Sequence, residues 1–112
     1  MQLLNGPVVA SVALLGAPVW AADMDAGKRI YERLCQSCHG EGGAGDGRVG
    51  RALRPRPTAI NRMEFWSGTT DAKVKAAIKG GSRGTTMMGF SSLKDEQLDS
   101  VVAYMRSLVP EQ

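Results

Sequence analysis

The sequence predicts a small all-α domain of three main helices, with long loops between them. Three observations lead there. Three stretches place apolar residues at the three-and-four spacing of a helix face. No stretch alternates apolar and polar residues with the period of two that a half-buried strand requires. The segments between the helical stretches are long and rich in Gly, Pro and Arg. The chain has 112 residues, 14 glycines and only 5% aromatics, so it makes one domain with few large side chains to fill a core.

Residues 1–21 read as a signal peptide. The segment "NGPVVASVALLGAPVWAA" carries no charge, and Gly6, Pro7, Gly16 and Pro18 break it too often for a membrane span. Val19 and Ala21 supply the small residues that precede a cleavage site after Ala21. This predicts an exported, periplasmic protein whose mature domain covers residues 22–112. An uncleaved membrane anchor is the alternative, because "MQLLN" lacks Lys and Arg.

The first helix is expected to open at Asp25, a good N-cap, and to run through "DAGKRIYERLCQSCH" with Ile30, Leu34 and Cys38 on one face. A long loop follows from Gly40 to Ile60. The second helix starts at Thr69 or Thr70, carries Val74, Ala77 and Ile78, and stops at Gly80. After a second loop, "GSRGTTMMGFSSL", the last helix aligns Leu98, Val101, Val102, Met105 and Leu108 in one stripe, and Pro110 ends it. Lys94 is a weak start for it, although Asp95 and Glu96 suit the positive end of a helix dipole.

A net charge of +3 is too mild for a nucleic-acid surface, so no nucleic-acid partner is expected. The arginines are nevertheless clustered. Arg48, Arg51, Arg54, Arg56 and Arg62 occur with no Asp or Glu between them. Such a loop is either a solvated basic segment or a site for anionic groups, on a cofactor or on an acidic protein partner.

Both cysteines and the single histidine lie within "CQSCH", Cys35 to His39. On a helix, positions i and i+3 share a face, so both sulfurs can reach neighbouring points of one flat ligand while the imidazole follows directly. C-x-x-C-H is a signature of covalent haem attachment. Cys35 and Cys38 would form thioethers and His39 would bind the iron. A thioredoxin-like pair would end a strand, and none is visible. A zinc site would need a fourth ligand beyond these three residues. A disulfide across C-x-x-C closes too short a loop to restrain much. The glycines of "GEGGAG" match G-x-G-x-x-G but follow a helix, so they lack the context of a dinucleotide fingerprint. A haem iron needs a second axial ligand, and with no second histidine the sulfurs of Met87 and Met88 in "GTTMMGF" are the natural candidates.

At this point the chain resembles the class I c-type cytochromes in their small monohaem form. The resemblance rests on "GKRIYERLCQSCHG", "GDG", "RPRP", "GTTMMGF" and "LKDEQLDSVVAYMRSL". It implies one covalent haem c and a one-electron carrier rather than an enzyme. Such a carrier exchanges electrons with protein redox partners, a membrane-associated oxidase or dehydrogenase among them, and takes no small-molecule substrate. The family's ligand loop usually reads G-x-x-M-P-x-F. Aligning Phe90 makes Met87 the axial ligand and sets Met88, the alternative, where proline is usual. The resemblance further implies that Gly27, Tyr31 and Tyr104 form a crossing of the first and last helices. It implies that a proline carbonyl, Pro55 or Pro57, accepts the other N–H of His39. Trp66 would donate to a haem propionate or pack over the ring. Two alternative functions keep the same cofactor: a haem subunit of a larger dehydrogenase, and a haem-based ligand sensor with a labile sixth position.

Overall fold

The computed structural model describes residues 19–111, with side chains from Met24 onward, so the expected leader lies outside the described residues except for its last three positions. The order is α1 (Val19–Leu34), α2 (Gln36–His39), a 3-10 turn at Gly50–Ala52, α3 (Met63–Ser67), α4 (Asp71–Gly80) and α5 (Asp95–Ser107). No strand occurs among the described residues.

The first helix differs from expectation at both ends. It begins at Val19 instead of Asp25, since no Gly or Pro separates Val19 from Ala26 and the alanines favour helix. It also breaks at Cys35, and the four residues of the motif that follow form a separate turn. The break is slight. Cys35 N–H still donates to Tyr31 O at 2.9 Å and His39 N–H to Cys35 O at 2.9 Å.

Helix α1 crosses α5, and the crossing explains three small or aromatic residues. A Cβ on Gly27 would run into the Ser100 carbonyl, so only glycine lets the backbones approach this closely. Tyr31 and Tyr104 close the crossing with ring centroids 5.4 Å apart at 53°. Ser100, 4% exposed, turns its hydroxyl to Glu96 O at 2.9 Å and leaves a low surface for Gly27. Gly27→Ala is expected to lower the stability of the holoprotein by about 3 kcal/mol, the upper end of overpacking costs, because the obstacle is backbone. A denaturant midpoint within error of wild type would contradict the crossing.

Helix α4 is capped as its sequence suggests. Thr70 Oγ1 accepts from Lys73 N–H at 3.2 Å, and Gly81 takes φ +87° after the last turn. Helix α5 solves its weak start from within. The Gln97 side chain reaches back to Lys94 N–H at 2.8 Å, one half of a capping box. Val74 and Ile78 of α4 pack with Leu98, Val101, Val102 and Met105 of α5 and with Ile30 and Tyr31 of α1.

The expected long loop after His39 folds back under α2. Gly45, Gly47 and Val49 N–H groups donate to His39, Cys38 and Ser37 carbonyls at 2.7, 3.1 and 2.9 Å. These are the carbonyls a short helix leaves unpaired at its end. A Cβ on Gly47 would collide with the Ser37 and Gln36 carbonyls, which is why glycine stands there. The loop thereby fixes the motif it follows.

Candidate functional site

A cleft of about 320 Å³ opens between the α1–α2 segment, the proline-containing loop and the loop after α4. Cys35, Cys38, His39, Met87 and Met88 all line it. The five residues singled out as sulfur or nitrogen donors are therefore brought to one place. The walls between them are apolar, from Leu34, Leu53, Ile78, Phe90 and Met105.

His39 is held by one hydrogen bond, Nδ1 to the Thr58 carbonyl at 3.1 Å. A carbonyl only accepts, so Nδ1 carries the proton and Nε2 keeps its lone pair. Burial lowers the imidazole pKa, outweighing the opposite effect of the Thr58 bond, and so favours the neutral, ligating form. The acceptor is a correction: neither Pro55 nor Pro57 supplies it. Pro57 O faces Gly45, and the next carbonyl, Thr58 O, meets the imidazole. Both proline rings instead wall the cleft.

The two thiols are half-buried. Burial, then the neighbouring Cys38, pushes the Cys35 thiol up to about 11. A reactive dithiol needs the opposite shift, towards thiolate, so the pair is unsuited to thiol–disulfide exchange. No three His, Cys, Asp or Glu side chains converge to hold a metal ion among the described residues, so a zinc site has no fourth ligand at hand.

Met87 is half-buried and packs against the core, while Met88 is 67% exposed. Met105 also reaches the cleft but is a core residue, 6% exposed, and Met63 lies away from it on α3, 49% exposed. Trp66 departs from expectation. It does not line the cleft, and its Nε1–H donates to Ile60 O at 2.9 Å, so it is not free for a propionate. The indole is 5% exposed and braces the fold, with the Arg106 guanidinium 4.4 Å over its ring and Arg106 paired to Asp71 at 2.6 Å.

Two site features escaped the sequence reading. Tyr31, placed only at the helix crossing, also lines the cleft and donates its hydroxyl to Gly40 O at 2.6 Å, bracing the residue after His39. Arg33 joins Arg56 on the cleft wall, and no Asp or Glu is there. An apolar slot holding two thiols, an imidazole lone pair and a thioether, with cationic and no anionic side chains, suits a flat apolar macrocycle with acidic substituents and a central iron. The residues present fit a haem.

Comparisons with known proteins agree. The family model described as "Cytochrome C oxidase, cbb3-type, subunit III" matches residues 22–105. The chain is 28% identical over 90 residues to cytochrome c-554(547) of Halothiobacillus neapolitanus, covering 79% of this chain and 99% of that one. It is 29% identical over 108 residues to cytochrome c-555 of Chlorobaculum tepidum, covering 93% and 94%. Among solved structures, the KustC0563 c-type cytochrome superposes with a TM-score of 0.65 at 25% identity, over 75% of this chain and 98% of that one. A chain of the Kuenenia stuttgartiensis reducing HAO-like protein complex Kustc0457/Kustc0458 gives 0.66 at 30% identity, over 76% of this chain but only 42% of that longer one.

Proposed function

Because the chain belongs to the c-type cytochrome family whose model is described as cytochrome C oxidase, cbb3-type, subunit III, we propose that it is an exported one-electron carrier. It holds a single haem c on Cys35 and Cys38, with His39 and Met87 as axial ligands. The family implies covalent haem c. The single observation that carries the finer reading is that these four side chains line one cleft.

When bound, the haem supplies an iron that alternates between ferrous and ferric states. The protein does the rest. Cys35 and Cys38 would hold the macrocycle as thioethers, a net addition of each S–H that needs no oxidant. The bond from His39 to Thr58 O orients the imidazole and strengthens its donation. The Met87 thioether and the apolar walls disfavour the extra charge of the ferric state, which raises the potential. Arg33 and Arg56 offset the acidic substituents. Electrons pass to and from protein partners. No helix among the described residues is long and apolar enough to cross a membrane.

Carbon monoxide tests the ligation. The reduced protein at neutral pH is expected to bind it slowly, because Met87 must first leave. Rapid binding would identify an open sixth position and favour a ligand sensor. One observation favours a second reading, as a module of a larger redox assembly: the same fold occurs within a longer chain of a reducing HAO-like protein complex. Near-complete coverage of two short cytochromes favours the free carrier. Size-exclusion chromatography of the native material should then give a monomeric coloured peak, whereas a large coloured complex would favour the module.

A further inference from the structure

The loop that carries Met87 lacks the proline usual after the ligand and has the exposed Met88 in its place. Something else must fix the chain, and the hydrogen bonds show what does. The Thr85 hydroxyl donates to Ser82 O at 2.7 Å and accepts from Met87 N–H at 3.1 Å. The backbone closes the same ring: Thr85 N–H donates to Ser82 O at 3.2 Å, and Ser82 N–H to Met87 O at 3.1 Å. Both peptide groups of Met87 are thus held, one of them by the Thr85 side chain. Among the described residues no hydrogen bond holds the Met88 backbone. The far side of the loop is tied to α4, with Phe90 N–H on Ile78 O at 2.8 Å.

We propose that Thr85 is the positioning residue for the sixth ligand. Both methionines line the cleft, but the Thr85 hydroxyl, bridging Ser82 O and Met87 N–H, fixes the backbone of Met87 alone and supplies the rigidity that the missing proline would give. This rests on the reading of Met87 as axial ligand and says what selects it. Thr85 is exposed at the cleft, so truncating it to Ala opens no cavity in the core. Without the hydroxyl, Met87 N–H loses its partner and the loop opens more often. Losing both of the hydroxyl's hydrogen bonds should raise the open population roughly tenfold.

The test uses the holoprotein with Thr85→Ala, Thr85→Ser and Met87→Ala, read by carbon monoxide binding to the ferrous form and by the weak red band of sulfur-ligated ferric iron. Thr85→Ala is expected to bind carbon monoxide about tenfold faster and to weaken the band. Thr85→Ser, which keeps the hydroxyl, should behave as wild type. Met87→Ala should abolish the band. If Thr85→Ala matches wild type while Met87→Ala loses the band, Met87 is the ligand but Thr85 does not position it, and the proposal fails alone. If Met87→Ala keeps the band, the ligand assignment fails and the proposal with it.

Discussion

Exported protein carrying Cys35→Ala and Cys38→Ala together is expected to be colourless and largely unfolded. The reason lies in what the cleft exposes. Leu34, Leu53, Ile78, Phe90 and Met105 face it, and Ile78 and Met105 belong to the buried core. A domain of roughly 90 residues has only a narrow margin of stability and often needs a staple. Under the proposed function, haem would cover those side chains with a large apolar disc and join α1–α2 to the loop after α4. Without its two anchors, the proposed ligands His39 and Met87 would have to recruit free haem against export and dilution. Far-ultraviolet circular dichroism should show most helicity lost. Single replacements keep one thioether and are expected to give reduced yield of a coloured, folded protein. Full helicity in the colourless double variant would mean that the side chains alone close the core.

Met87→Ala is the second large effect. It removes the thioether from the loop while keeping the haem anchors and His39. The expected result is loss of the red sulfur band, a lower midpoint potential and fast carbon monoxide binding. If the sixth position is open in about 0.1–10% of wild-type molecules, freeing it raises the apparent affinity by about 10- to 1,000-fold. Met88→Ala should change none of these appreciably, since Met88 is 67% exposed and its backbone is unheld. The reverse pattern would make Met88 the ligand and would leave the hydrogen-bonded ring around Met87 without a ligand to serve.

What was legible in the sequence follows from how local each signal is. The five positions from Cys35 to His39 carry their chemistry in their spacing, and the stripes of α4 and α5 carry their burial in theirs. The crossing at Gly27, Tyr31 and Tyr104 was legible only through resemblance, because a glycine in a helix does not say what approaches it. Helix α3 was missed because five residues are too few to show a helical period. The Thr58 acceptor was missed because it is a backbone carbonyl, which any residue could supply, and only the direction of the chain after Pro57 selects it. Trp66 was assigned to the cofactor from its chemistry as a donor. The Ile60 carbonyl, six residues earlier in the chain, already uses that donor. Gln97 was the one overlooked local signal, an N3 residue able to cap the weak start at Lys94.

The central claim is that haem is covalently joined to Cys35 and Cys38. Peptide mass mapping of the protein, exported from a host able to mature c-type cytochromes, tests it most directly. After acidic solvent extraction, the peptide containing Cys35, Cys38 and His39 is expected to carry one haem, with no titratable thiol left in the chain. A folded protein whose two thiols both titrate, and whose peptide carries no added mass, would contradict it.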